Sequence, residues 1–207
     1  MVKPDIPRKA VYRLSLYHRG LQRLRANRVS TVSSTALAKA AGVKPTQLRK
    51  DLAYLGQFGT RGLGYDVAGL SSKLTEALGT ARLQPVVLIG VGNLGSALLG
   101  YGGGFAKEGF EVVAAFDLAA GRRRIGGSRH QIRPISQAPE FIRKHGIKMA
   151  ILAVPAHAAQ EVTNALVAAG IQAILNFAQS ILQVPDNVVV NAVDLAIELE
   201  NLSYFIR

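Results

Sequence analysis

Pro85-Val86-Val87-Leu88-Ile89-Gly90-Val91-Gly92-Asn93-Leu94-Gly95 is the stretch on which the fold turns. A short apolar run ending at glycine is the pattern of a strand buried on both faces of a parallel sheet. The Gly90-x-Gly92-x-x-Gly95 spacing follows at once, and Ala97, Leu98 and Tyr101 then recur at helical spacing. Strand, glycine turn and helix form the context in which this spacing marks a dinucleotide phosphate loop. Gly90 makes the turn, Gly92 lets a pyrophosphate approach, and Gly95 lets the helix pack on the strand. The helix start offers its N–H groups to the anion.

Downstream, a second strand over Val112–Phe116 ends at Asp117, 22 residues after Gly95. That is where the fingerprint expects a carboxylate for the adenosine ribose hydroxyls. An acid there repels a 2′-phosphate, so NAD is favoured over NADP. Arg122, Arg123 and Arg124 pull the other way, because they could reach such a phosphate. Further strands are expected at Lys148–Val154, Ile171–Leu175 and Val188–Val190, with a helix over Ala156–Ala169. Val154-Pro155 and Asn176-Phe177 then fall at carboxyl ends of strands, where the nicotinamide half of a dinucleotide lies. Asp194 is placed to cap a last helix, Leu195–Phe205, apolar on more than one side and so suited to pack on a partner subunit.

The residues before this sheet read differently. Pro7 is placed to open a helix, with Val11, Leu14, Tyr17, Leu21 and Leu24 as its apolar stripe and Arg13, Arg19, Arg23 and Arg25 on the other face. Ser33-Ser34 offer an N-cap for a second helix, Gly42 stops it, and Lys44-Pro45 start a third. Helix, glycine turn, helix is the helix-turn-helix pattern. At 100° per residue, Leu48, Leu52 and Leu55 form the buried side of the third helix. Thr46 and Lys50 lie opposite, flanked by Arg49, Gln47 and Tyr54. Arg and Lys can bond guanine, Gln adenine, and Thr the thymine methyl. Phe58-Gly59-Thr60-Arg61-Gly62-Leu63-Gly64-Tyr65 then reads as a β-wing with Arg61 at its tip. An arginine on a thin wing suits the narrow minor groove of A·T-rich DNA.

Charge supports the same division. The chain has 207 residues and a formal net charge of +12, and residues 1–80 carry 14 Lys/Arg against 4 Asp/Glu. So +10 of the +12 lies on the first part, the footprint of a polyanion partner. We expect two domains joined near residues 80–85: a DNA-binding domain over 1–80 and a dinucleotide domain over 81–192, followed by a terminal helix over 193–207. The absence of cysteine excludes disulfides, thiolate metal sites and cysteine catalysis, and points to a cytoplasmic setting. No 18-residue apolar run suggests a membrane span, and the N-terminus has no secretory signal.

Dehydrogenase chemistry lacks its residues. No Tyr is followed four residues later by Lys, no His pair has metal spacing, and no Gly-x-Ser-x-Gly occurs. Of the four histidines, only His157 falls near the expected nicotinamide end, where it is a candidate general acid or base; we read it as a helix-start residue. We therefore expect no catalytic residues and no metal. Two rivals stay open: an NAD-dependent oxidoreductase with a basic appendage, and a CoA-binding module.

The chain resembles the bacterial Rex family of redox-sensing repressors. The likeness rests on Gln47-Leu48-Arg49-Lys50-Asp51-Leu52, the Phe58–Tyr65 segment, Val91-Gly92-Asn93-Leu94-Gly95, Ala153-Val154-Pro155, Ile174-Leu175-Asn176-Phe177-Ala178 and Asn191-Ala192-Val193-Asp194. It implies a winged helix-turn-helix followed by a Rossmann-type, doubly wound parallel sheet, with the terminal helix swapped onto the partner in a homodimer. It also implies repression through double-stranded operator DNA, an A·T-rich palindrome, released as NADH rises over NAD⁺. Gln47, Arg49, Lys50 and Arg61 would take the DNA, beside Thr46. Gly90, Val91, Gly92, Asn93, Leu94, Gly95 and Asp117 would take the adenine dinucleotide, and Tyr101 and Phe105 would sit beside the nicotinamide. Asp194 would act across the dimer on an arginine of the first helix, which Arg19 fits.

Overall fold

The computed structural model describes residues 6–60, 62–119 and 131–206. Contacts divide the chain into two units, Met1–Arg82 and Leu83–Arg207. Among the described residues no helix is long and apolar enough to cross a membrane.

The first unit runs α1 (Arg8–Ala26), β1 (Thr31–Val32), α2 (Ser34–Ala40), α3 (Pro45–Ala53), β2 (Tyr65–Asp66) and α4 (Val67–Leu78). Pro7 stands just before α1, and the Ser33 hydroxyl caps α2 by accepting the Ala36 N–H at 3.1 Å. Gly42 turns the chain with φ +68°, and Pro45 restarts it as the first residue of α3. Leu14, Tyr17, Leu21, Leu37, Leu48, Leu52, Leu70 and Leu74 form one core. Each such fully buried side chain contributes about 1.5–3 kcal/mol.

Two expectations on α1 need correction. Val11 is 39% exposed, and the inward stripe runs through Ala10, Leu14, Tyr17 and Leu21 instead. Arg13 does not face outward with the other arginines; it turns in toward α3. The apolar periodicity leaves room for a cation there because α3 supplies a buried acid. The strand β1 and helix α4 were not anticipated from sequence. β1 has only two residues, pairing antiparallel with β2 as Thr31↔Asp66 and Val32↔Tyr65. Thr60 and Gly64 bridge a tight loop between α3 and β2, which is the expected wing. Gly64 has φ +88°, and a Cβ on it would land on the Val32 carbonyl oxygen, so the wing root admits no side chain there. Arg61 lies outside the described residues.

The second unit is a six-stranded sheet. Its elements are β3 (Gln84–Ile89), α5 (Asn93–Gly100), α6 (Gly102–Lys107), β4 (Phe110–Asp117), β5 (Ile132–Pro134), α7 (Ala138–His145), β6 (Met149–Leu152), α8 (Ala156–Ala169), β7 (Ala173–Asn176), β8 (Val189–Ala192) and α9 (Leu195–Ser203). The order is β5-β4-β3-β6-β7-β8 with every pair parallel. This is the doubly wound arrangement in which the strand order reverses beside the first strand. Along β3 the side chains alternate between two cores. Val87 and Ile89 meet Ile142 and Leu166 of α7 and α8; Val86 and Leu88 meet Leu99 of α5. Helices therefore cover both faces, which explains the unbroken apolar run of β3. In β4 the register shifts opposite Val86/Val87, so Val112 and Ala115 face the same core. Strand β5 and helix α7 were also missed by sequence reading, β5 because it has only three residues. At the other end, Leu195, Ile197, Leu199 and Leu202 of α9 are all exposed.

Candidate cofactor cleft and nucleic-acid interface

The glycine loop is built by the strand ends around it. Gly90 follows β3 with φ +90°, and its N–H donates to the Phe116 carbonyl at 2.8 Å. A Cβ on Gly90 would stand 2.5 Å from the Ala153 carbonyl oxygen, so β3, β4 and the end of β6 converge on it. A Cβ on Gly95 would land on the Gly90 carbonyl oxygen. That contact is the close helix-on-strand packing expected of the third glycine. Gly92 differs: its φ is −69°, and a Cβ there would meet nothing within 4 Å. It precedes α5, whose first internal bond is Ser96 N–H to the Gly92 carbonyl at 2.9 Å. The preceding N–H groups at the helix start have no intrahelical acceptor, and they carry the positive end of the helix dipole.

Asp117 ends β4 and ties the loop down. Its Oδ2 accepts the Val91 N–H at 2.6 Å, and its Oδ1 accepts the Ala119 N–H at 2.8 Å. The carboxylate thus holds the glycine loop in place, and these two bonds leave part of its acceptor capacity unused.

A cleft of about 970 Å³ opens over this loop. Gly90, Val91, Gly92, Asn93, Leu94, Asp117, Val154 and Pro155 line it, so eight of the residues expected from sequence come together. Ile132, Ile135, Ala138 and Pro139 make an apolar wall that sequence reading missed, because it lies on β5, in the short turn after it and at the start of α7. His157 and Glu161, one turn apart on α8, also border the cleft. The volume suits a dinucleotide-sized ligand.

Other expected residues lie apart from the cleft. Gly95 sits behind the loop as packing. Asn176 is 1% exposed; its Oδ1 accepts the Ala178 N–H at 2.9 Å and its Nδ2 donates to the Ser180 carbonyl at 3.0 Å. It shapes the turn after β7 rather than reaching into the cleft. Tyr101 is 62% exposed and stacks edge-on against Phe105, ring centroids 5.2 Å apart, but neither borders the cleft. Asp194 caps α9 by accepting the Ala196 N–H at 2.9 Å, while Arg19 is exposed on α1. Arg122–Arg124 lie outside the described residues. Among the described residues no group of three or more His, Asp or Glu could hold a metal ion.

In the first unit, α3 presents Thr46, Arg49 and Lys50 to solvent, and Arg49 Nη1 donates to the Ser34 hydroxyl at 3.1 Å. Leu48 and Leu52 are buried as expected. Asp51 is the residue whose importance sequence reading missed: it is 1% exposed and accepts four hydrogen bonds. Arg13 donates through Nε at 2.6 Å and Nη2 at 2.7 Å, Tyr17 OH at 2.7 Å, and Gln47 Nε2 at 2.8 Å. Burial alone would raise the Asp51 carboxyl, but the bonds from Arg13, Tyr17 and Gln47 hold it below its ordinary value. Burial first, and the bond to Asp51 second, push the Tyr17 hydroxyl well above its ordinary value. The only signal in the sequence was an acid at i+3 from Leu48 on the apolar side of an amphipathic helix.

Comparison with known proteins agrees with both halves. Residues 5–53 match the family described as "Putative DNA-binding protein N-terminus", and residues 82–180 match the CoA binding domain family. The chain is 46% identical to the redox-sensing transcriptional repressor Rex of Streptomyces coelicolor, covering 96% of this chain and 77% of that protein. It is 43% identical to Rex of Carboxydothermus hydrogenoformans, covering 98% and 97%. The crystal structure of RSP with β-NAD⁺ and operator DNA superposes with a TM-score of 0.88 at 36% identity, covering 96% of this chain and 91% of that one. RSP with β-NADH gives 0.84 at 35% identity, covering 97% and 93%. Similarity of this extent runs through the helix-turn-helix, the glycine loop and the terminal helix alike, and the chain belongs to the Rex family of redox-sensing transcriptional repressors.

Proposed function

We propose that this chain is an NAD(H)-sensing repressor that holds operator DNA as a homodimer and releases it when NADH binds. The observation that carries this is the preset phosphate loop, tied to Asp117 and opening on a 970 Å³ cleft, in a chain whose other unit exposes Thr46, Arg49 and Lys50 on a helix-turn-helix. Family membership supports repression over turnover as the use of that cleft. On this reading DNA binding falls over 1–80, NAD(H) binding over 81–192 and the swapped terminal helix over 193–207. The setting is the cytoplasm.

Thr46, Arg49 and Lys50 meet the major groove, and Arg61 on the wing meets the A·T-rich minor groove of a palindromic operator. The α5 N-terminus takes the pyrophosphate. Asp117 takes the adenosine ribose and selects NAD over NADP, and the Ile132–Pro139 wall covers the adenine. NADH and NAD⁺ share the adenine half, so discrimination comes from the ring, neutral in one and cationic in the other. Tyr101 and Phe105, which lie outside the cleft lining of the single chain, are the pair that resemblance places beside the ring; there they favour its neutral form, since burying an unpaired charge is costly. By the family resemblance, Asp194 acts across the homodimer on an arginine of the first helix in one of the two states, and Arg19 fits that arginine.

A full switch from 1:99 to 99:1 requires about 10⁴-fold differential binding, near 5.5 kcal/mol. Two NADH molecules per dimer supply about half each. Linkage then requires operator DNA to weaken NADH binding. Titrating NADH with and without operator tests this, and equal affinity in the two titrations refutes it. The match to the CoA binding domain family over residues 82–180 favours a second reading, a CoA site. Asp117 argues against it, and competition between CoA and NADH in the same titration decides.

A further inference from the structure

We propose that Asp51 is a positioning residue that pins the DNA-reading helix α3 to α1, and that Gln47 belongs to this pin and not to the base-reading face. The inference rests on the DNA-binding reading above.

The geometry assigns the parts. A carboxylate has about four lone-pair sites, and all four of Asp51 are filled, two donors to each oxygen. Arg13 Nε and Tyr17 OH meet Oδ2; Arg13 Nη2 and Gln47 Nε2 meet Oδ1. Arg13 and Tyr17 both come from α1, so the acid of α3 is gripped by a planar fork and a buried hydroxyl on a single neighbouring helix. The fork has one orientation, which makes the grip directional and not merely attractive. Shifting α3 along or about its axis breaks several bonds to one buried charge at once, and a buried charge left without partners is heavily penalised.

Gln47 lies one turn before Asp51, on the same side of α3. Reading an adenine demands that both Oε1 and Nε2 of the carboxamide face the groove. Here Nε2 points back to Asp51 at 2.8 Å, and the side chain is half-buried. Thr46 and Lys50 lie on the neighbouring face, opposite the Leu48–Leu52 stripe, and are exposed. Base discrimination therefore falls to that exposed side, while Gln47 acts on where the helix sits.

The two roles separate in one experiment. The affinities of the unmutated chain, Gln47→Ala, Tyr17→Phe and Lys50→Ala are measured on an operator and on every single-base variant of its half-site, alongside thermal melts. Tyr17 is buried and touches no DNA, so Tyr17→Phe reports the pin alone. The expected result is that Gln47→Ala and Tyr17→Phe weaken all duplexes by one common factor and lower the melting temperature. Base preference stays as in the unmutated chain. A base reader lost at Gln47 instead removes about 5- to 150-fold discrimination at one base pair and leaves the melt unchanged; that outcome overturns the proposal. So does Tyr17→Phe binding DNA with unchanged affinity. If the unmutated chain retains no duplex, the DNA-binding reading itself has failed, whatever the melts of the variants show.

Discussion

Replacing Gly92 with alanine separates the phosphate loop as scaffold from the phosphate loop as anion seat. Gly92 has φ −69° and ψ −158°, a backbone any residue adopts, and a Cβ there meets nothing within 4 Å. As an N-cap, alanine is worse than glycine by about 0.5–1 kcal/mol. The stiffer unfolded chain returns about 0.4–1 kcal/mol. These nearly cancel, so the melting temperature moves by about 3 °C or less. The new methyl nevertheless stands where the pyrophosphate must approach the α5 N–H groups. Losing one charge-assisted hydrogen bond costs about 1.5–3 kcal/mol, so NADH binds roughly 10- to 150-fold more weakly. Gly95→Ala is the counterpart. Its Cβ lands on the Gly90 carbonyl oxygen, backbone against backbone, and overpacking of this kind costs about 1–3 kcal/mol of stability. Calorimetric NADH titration and thermal melts of the three proteins provide the comparison. Unchanged NADH affinity in Gly92→Ala refutes the placement of the anion over this loop. A melt as depressed as that of Gly95→Ala refutes the reading of position 92 as open space.

Three further outcomes are expected. If Lys50 meets a phosphate, Lys50→Ala lowers the slope of log affinity against log salt by about one with no change in the melt; an unchanged slope with weakened binding assigns Lys50 to base edges instead. Gly64→Ala drives a side chain into the Val32 carbonyl at φ +88°, so the wing root opens; operator affinity falls while NADH affinity holds, and a variant that binds DNA normally shows the wing is dispensable. The Asp51 network gives the first unit a two-sided pH response. Asp51 is held below its ordinary value, so its contribution is present above the unfolded carboxyl pKa of about 3.9 and is lost as pH falls further. Tyr17 is held above its ordinary value, so its contribution is full below about pH 10 and is lost as pH rises beyond it. Melts of Asp51→Asn and Tyr17→Phe flatten the acid and alkaline limbs respectively; retention of both limbs excludes the network as their source.

Legibility in the sequence followed the length of each signal. The β3–α5 unit was readable because an unbroken apolar run, three glycines and an acid 22 residues on all point to one structure. Helix α8 was readable because fourteen residues carry a clear period between Pro155 and Gly170. The apolar wall of the cleft was not, because Ile132 belongs to a three-residue strand and Ile135 to a single 3-10 turn, too short for any periodicity. The turn-helix-turn punctuation of α2 and α3 was legible through Ser33, Gly42 and Pro45. The partner of Arg13 was not, since Arg13 and Asp51 lie 38 residues apart and neither looks unusual alone. Tertiary pairing of a cation and an acid leaves no trace in local pattern, and the cation was therefore assigned to water. Asn176 falls at a strand end, where a ligand contact is expected from sequence, but its bonds to residues 178 and 180 commit its amide to the turn, a long-range detail the local pattern does not carry.

The bond from Val91 to Asp117 also bears on how this lineage can change. On the reading proposed above, in which Asp117 selects NAD, the simplest step toward the phosphorylated dinucleotide is to discard the acid at the end of β4. In this chain the same acid is the acceptor for the N–H of a residue that is 2% exposed, and removing that acceptor costs about 1–3 kcal/mol. On that reading, a descendant that loses the acid loses loop order in the same step that gains tolerance for the extra phosphate. It needs a second substitution, one that restores an acceptor at the same spot, before the new preference can be selected. Ligand choice and loop integrity would then rest on one carboxylate, and the first is hard to change without disturbing the second.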